Sequence, residues 1–238
     1  MTMERGYGQY CPLALATEIL GQRWTILVIS RLFDGCTQFN EIHRGLPRIS
    51  PSQLSKRLGD LEHAGIIQRK KLKHQNGHSY HLTESGEDLE DIIMQIAVWG
   101  QQWARDMIVD DLDPAFLAWS MHLRMDSAAM PPGRTVIEFE FSGAPTDCRR
   151  FWLMKVDDKI EMCLKHPGFE TDLWVAAELR NFVEAWRGIR DFRREILARR
   201  IRLTGPTALK KGFPNWLMLS ALAPYQRRRP GRERRLSQ

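Results

Sequence analysis

The sequence predicts an α+β protein in two parts. A helical N-terminal segment is closed by a basic two-stranded hairpin, and an α+β sheet-and-helix segment follows. Three observations carry this. Apolar residues recur at helical spacing up to Leu61. Two short strand patterns, Ile66–Lys73 and His78–Leu82, flank Asn76-Gly77, a pair favoured in tight turns. After the MPPG turn at 130–133 the pattern switches to alternation and then back to helical spacing.

At 238 residues with 43% hydrophobic content, the chain fits two modest domains. It has no apolar run of about 18 residues and no signal-peptide pattern. A soluble cytoplasmic protein without stable membrane insertion is expected. The net charge of +6 is unevenly spread. From Arg23 to Thr83, ten Lys/Arg face four acids, and the acids resume at Glu84. A second excess lies at 225–238, where six arginines oppose Glu233, and this tail is expected to be disordered. Cys11, Cys36, Cys148 and Cys163 are scattered without ligand spacing, so neither structural zinc nor a disulfide framework is expected. His43, His63, His74, His78 and His81 complete no metal set.

The N-terminal helices follow in order. LALATEIL ends near Gly21, and RWTILVISRLF is apolar nearly all round, as a buried central helix would be. FNEIHRGL is stopped by Pro47. Ser50-Pro51-Ser52-Gln53 then reads as a capping box, with Pro at the first helical position. Leu54, Leu58 and Leu61 form a buried stripe. Ser52, Gln53 and Lys56 point away from it, and Arg57 sits on its shoulder. A helix N-terminus with free N–H groups favours phosphate, and these side chains are types that reach base edges. Lys70, Lys71, Lys73 and His74 make the following hairpin basic, and Thr83 caps the next helix.

This order is that of a winged helix-turn-helix. The fourth helix is kept for DNA, and the wing rests on the backbone. The expected DNA contacts are Ser50, Ser52, Gln53, Lys56, Arg57, Lys70, Lys71, Lys73 and His74.

"CPLALATEILGQRWTILVISRL", "FNEIHRGLPRISPSQLSKRLGDLEHAGII" and "YHLTESGEDL" resemble the HxlR-type bacterial transcriptional regulators. The resemblance runs from Cys11 to Trp103. It implies a homodimer on inverted-repeat double-stranded DNA, joined through Leu13–Leu20 and Leu89–Trp103. Some HxlR-type regulators carry a redox-sensing cysteine just before the first helix, where Cys11 stands. A thiolate near a helix N-terminus is favoured, but no basic partner for Cys11 is evident, and a structural cysteine at the dimer contact is the first expectation.

The remaining chain is expected to begin a new domain at Asp110–Phe116, giving domains at 1–108 and 109–224 before the tail. Ile137, Phe139 and Phe141 alternate with Val136, Glu138 and Glu140 as a half-buried strand. RRFWLMKV and KIEMCLKH form a hairpin over Asp157-Asp158. LWVAAELRNFVEAWRG is a strand entering a helix, DFRREILARR a second helix, IRLTG a strand and PTALKKGFPNWLML a final helix. The stretch "TDLWVAAELRNFVEAWRGIRDFRREILARRIRLTGPTALKKGFPNWL" is similar to the sterol-carrier-protein-like domain. That likeness covers 112–222 and is strongest over 171–217. It implies an apolar cavity, for which the candidate lining residues are Phe139, Phe141, Trp152, Met154, Met162, Trp174, Phe182, Trp186, Phe213 and Trp216. Aromatics at such spacing are usually core, so each is first of all a core residue. Arg193, Arg194, Arg199 and Arg200 are more basic than a neutral sterol carrier needs.

No Ser/His/Asp arrangement, phosphate loop or supported carboxylate pair is found, so neither an enzyme nor a cofactor is expected. The sequence is read as a dimeric transcriptional regulator, a repressor, whose C-terminal domain senses a small apolar ligand or supports dimerisation. The competing reading is a lipid-binding or carrier protein with basic segments on membrane surfaces.

Overall fold

A computed structural model of the chain describes residues 6–72, 77–146 and 148–229. Lys73, His74 and Asn76, and the tail arginines 232, 234 and 235, lie outside the described residues. The chain divides into two compact units, 1–96 and 97–238. The division falls inside a helix, upstream of the junction expected at 108.

In the first unit, α1 (Pro12–Leu20), α2 (Thr25–Phe33), α3 (Phe39–Arg44) and α4 (Pro51–His63) precede the hairpin β1 (Ile67–Lys71) and β2 (His78–Leu82). α5 (Glu84–Glu87) follows, and α6 (Glu90–Trp103) is the helix within which the division at 96/97 falls. α2 is central but not buried all round. Thr25, Val28, Ile29 and Leu32 are inside, while Leu27 faces out. A helix with neighbours on one side needs only one apolar stripe. α2 also begins later than its apolar run, because Trp24 takes a left-handed conformation (φ 77°) as N-cap. α4 buries Leu54, Leu58 and Leu61 on the α2 side.

Local hydrogen bonds set the joints. Glu41 accepts the N–H groups of Thr37 (2.9 Å) and Gln38 (3.0 Å), closing the start of α3. Thr83 Oγ1 accepts the Gly86 N–H at 3.3 Å and donates to the Gly65 carbonyl at 2.6 Å, so the cap of α5 also ties down the entry to the wing. The wing is joined to the turn before α3 by the Tyr80 N–H, which donates to the Thr37 carbonyl at 2.7 Å.

In the second unit, α7 (Pro114–His122) precedes β3 (Thr135–Ser142), β4 (Arg150–Val156) and β5 (Lys159–Cys163). Then come β6 (Leu173–Glu178), α8 (Leu179–Trp186), α9 (Phe192–Leu197), β7 (Ile201–Thr204) and α10 (Thr207–Trp216). Among the described residues the strands form a five-stranded sheet in the order β5-β4-β3-β6-β7. β3 and β6 are parallel and the other pairs antiparallel. α7 occupies part of the expected junction. Pro114 is not a linker proline; it stands at the first helical position behind Asp113, whose carboxylate accepts the N–H groups of Ala115 and Phe116.

Register puts Ile137, Phe139 and Phe141 on the same side as Phe151, Leu153, Leu173 and Val175. Phe182, Trp186, Phe192, Phe213 and Trp216 from the helices pack onto that side. Two tight approaches explain glycines in this half. At Gly188 (φ 75°) a Cβ would strike the backbone of Ala223, and at Gly205 (φ 147°) the carbonyl of Asp172.

The 225–229 segment, expected as the start of a disordered tail, is held in place. Arg227 pairs with Asp106 at 2.6 Å and donates to the Ala104 carbonyl, while the N–H groups of Arg228 and Arg229 donate to the Gln102 carbonyl. Beside it, the Arg187 guanidinium sits on Gln101 Oε1, and burial, then the neighbouring Arg227, pull its pKa below the usual arginine range.

Phe139 lies at the centre of the second core, in ring contact with Phe141, Phe151, Phe182 and Phe213. Phe139→Ala is expected to cost about 3–5 kcal/mol of stability. The urea midpoint measured on the near-UV signal checks this.

Candidate nucleic-acid interface

α4 presents its N-terminal end to solvent. Ser50 accepts the Gln53 N–H at 3.3 Å and lies 3.1 Å from the Ser52 hydroxyl. Pro51 occupies the first helical position, where its missing N–H costs nothing. Ser52, Gln53 and Lys56 are exposed, because the three leucines fix which side of the helix faces in. The turn before α4 is pinned by buried Leu46 and Ile49 and by the His43 ring nitrogen on the Ile49 carbonyl (3.0 Å). The loose N–H groups, the positive dipole end and the exposed hydroxyl, amide and ammonium groups together suit an anionic polymer.

Arg57 does not join this surface. Its side chain is only 11% exposed and pairs with Asp60 at 3.0 Å. It lines a shallow cleft of about 250 Å³ between α1 and α4 with Glu18, Gln22, His63 and the exposed Lys56. One residue of helix rotation, about 100°, separates it from Lys56 and carries it to the edge of the leucine stripe. Arg48, exposed two residues ahead of the cap, stands beside this surface without being among the contacts expected from the sequence. Its place between Pro47 and the cap was the available signal.

The wing presents a second basic group. In β1 only Ile67 is buried; Gln68, Arg69, Lys70 and Lys71 are exposed. Arg69 lies 3.5 Å from Glu62 of α4. Lys70 stands opposite Ser79 and Lys71 opposite His78. So the described residues bring together Ser50, Ser52, Gln53 and Lys56 on one helix end and Lys70 and Lys71 on the ribbon.

The ten candidate cavity residues do not line one space. Phe139, Phe141, Phe182, Trp186, Phe213 and Trp216 belong to the core between sheet and helices, with Met162 packed against it. Phenylalanine ring centroids there lie 4.9–6.3 Å apart, so rings fill the volume. Trp152 and Met154 lie on the opposite face with Val136. Trp174 is opposite Glu138 on that reverse face and is 43% exposed. Strand alternation separates them: a one-residue step along β4 or β6 changes the side of the sheet.

Cys11 is exposed at the N-cap of α1. Cys36 is buried, and its thiol is pushed up to about 11, by burial first and then by Asp34. Apolar side chains stand exposed on α1 (Leu13, Leu15, Ile19) and on α6 (Ile92, Ile96, Trp99, Trp103). Those of α6 recur every three or four residues, as one stripe. Among the described residues no helix is long and apolar enough to cross a membrane, and no cluster of metal-ligating side chains occurs.

The HxlR-like helix-turn-helix family model matches residues 19–107. The uncharacterized HTH-type transcriptional regulator YvaP of Bacillus subtilis is 33% identical over 111 residues, which is 46% of this chain and 95% of YvaP. The HTH-type transcriptional regulator YodB of the same organism is 36% identical over 95 residues, 39% of this chain and 85% of YodB. A solved structure of reduced YodB is 35% identical and covers 40% of this chain and 94% of that one, with a TM-score of 0.36.

The different exposures of the cysteines predict an order of reaction. At pH 8, a thiol reagent is expected to modify Cys11 in the native protein and to leave Cys36, which is buried and protonated there, untouched until unfolding. Peptide mapping after a short pulse of iodoacetamide checks this.

Proposed function

The chain belongs to the HxlR-like helix-turn-helix family of transcriptional regulators, and from that premise we propose that it is a homodimeric repressor reading an inverted repeat in double-stranded DNA. The observation that carries this is the exposed, capped end of α4 bearing Ser52, Gln53 and Lys56 beside a basic wing. Ser52 and Gln53 offer groups to base edges, while Lys56, Lys70 and Lys71 neutralise phosphates. Arg57, tied to Asp60, serves the fold of α4 instead.

The exposed apolar stripes of α1 and α6 support dimerisation through these helices. Two copies related by a two-fold axis present two α4 ends to two half-sites. For the C-terminal domain, the succession of sheet and helices supports the sterol-carrier-like reading. A small apolar ligand would have to part rings that now touch, which favours the role of dimer support. Exposure of Cys11 supports a second input: a change at its thiol reaches α1 directly. The alkylated protein checks this, since unchanged operator affinity would make Cys11 a packing residue only.

Gln53→Ala is expected to cost about 1–3 kcal/mol at the preferred site and to relax sequence preference. Lys56→Ala, which removes one phosphate contact from each subunit of the dimer, is expected to weaken binding to all sequences and lower the log–log salt slope by about two, whereas Arg57→Ala leaves that slope unchanged. Fluorescence anisotropy against a selected operator at several salt concentrations separates these outcomes.

Native mass spectrometry of the full chain is expected to show a dimer, and Trp99→Glu a monomer, because a carboxylate in an apolar contact is left without a partner. An extra discrete mass on the dimer would show a bound ligand and favour the sensing role of the C-terminal domain over dimer support.

A further inference from the structure

One charged surface is not used by the winged helix. Between Arg190 and Lys211 there are eight basic residues and two acids, Asp191 and Glu195. Both acids are engaged locally. Asp191 caps α9 by accepting the Arg194 N–H at 2.8 Å. Glu195 is buried and holds Arg200 through two bonds, of 2.5 and 2.8 Å. That guanidinium keeps the Glu195 carboxyl below its usual range, so it stays ionised. Arg190 is held by Glu184 at 2.7 Å, and Arg193 by the Asn215 side chain of α10 at 2.7 Å.

Arg194, Arg199, Arg202, Lys210 and Lys211 remain. Among the described residues none of them takes part in an ion pair with a carboxylate, and Arg194, Arg199, Arg202 and Lys211 are exposed. They are carried by consecutive elements at one border of the sheet: α9, the left-handed turn at Arg199 (φ 58°), the outermost strand β7, and α10. Ile201 and Leu203 of β7 turn into the core, so Arg202 projects from the opposite face of the sheet and lies outside this patch. Arg194, Arg199 and Lys211 are carried by α9, the turn that follows it and α10, and the Arg193–Asn215 bond ties α9 to α10.

We propose that this α9–α10 border is a second, sequence-independent contact for the DNA phosphate backbone, so that duplex flanking the operator adds to affinity. The inference rests on the regulator reading above. Arginine predominates, and its planar fork matches phosphate oxygens better than a lysine point charge does. An acidic membrane is the less suitable partner. α9 has six residues, too short to lie in a lipid interface as an amphipathic helix, and Leu197 is its one strongly exposed apolar side chain.

The test uses the full chain and an operator selected from a random duplex pool. Affinity is measured for the operator alone and for the operator with flanks of arbitrary sequence. The wild type is expected to gain about tenfold from the flanks at low salt. The triple variant Arg194→Gln, Arg199→Gln, Lys211→Gln is expected to lose that gain, with a salt slope on the doubly flanked duplex lower by about five, three cations being lost from each subunit of the dimer. Its unchanged affinity for the operator alone would show an intact winged helix. The proposal is overturned if the wild type gains nothing from flanks, or if the variant gains as much as the wild type. It is equally overturned if the substitutions abolish co-sedimentation with phosphatidylserine-containing phosphatidylcholine vesicles and leave the flank effect intact. Failure to select any operator would remove the site-reading proposal alone. The same variant compared with wild type on arbitrary-sequence duplex would still decide this one.

Discussion

Burial of Leu54, Leu58 and Leu61 fixes α4 in rotation, and the chemistry of the first unit follows from that. All three are essentially inaccessible to solvent. Turning them out would forfeit roughly 4.5–9 kcal/mol, comparable with the whole stability of a small domain. The helix therefore cannot roll to suit its ligand. Ser52, Gln53 and Lys56 are outward because the leucines are inward, and Arg57 is tied to Asp60 for the same reason. A helix end held in this way is pre-organised, so little ordering cost would be left for the binding of a ligand there.

The second unit obeys a different period with the same rigidity. Alternation along β3, β4 and β6 assigns each side chain to a face. The inner face took the phenylalanines. The outer face took Trp152, Met154 and Trp174, with Glu138 held by the Thr171 hydroxyl at 3.1 Å. The border beyond β6 took arginines whose neighbouring acids are occupied. Packing and charge are thus partitioned by strand register rather than by composition.

Much of this was legible in the sequence. Ser50-Pro51 announced α4, and Thr83 announced a helix, although what was expected as one helix to Trp103 is broken into α5 and α6. The strands of the second sheet showed in their alternation, but β3, expected half-buried, is covered on both faces. Both kinds of signal are local. Asp113-Pro114 carried the same information as Ser50-Pro51, yet it was read as a junction, since proline punctuates linkers as often as it starts helices. The partners of residues were not legible. That Trp152 and Phe139 lie on opposite faces needs the register of β3 with β4, which the alternation of either strand alone does not give. Arg57 looked like a surface cation because its position beside the leucine stripe says nothing of Asp60 and the wall of α1. Leu27 looked buried because an apolar run does not reveal on how many sides a helix has neighbours.

The end of α6 carries a consequence for biosynthesis. The carbonyl of Ala104 is met by Arg227, 123 residues downstream, and that of Gln102 by the backbone of Arg228 and Arg229. On the ribosome, α6 is made long before the groups that finish it. Through that interval its last carbonyls have water as their partner, and its final turn has only local bonds to keep it wound. A message cut short before the codon for Arg227 would therefore yield a chain whose α4 is complete and whose α6 end stays frayed.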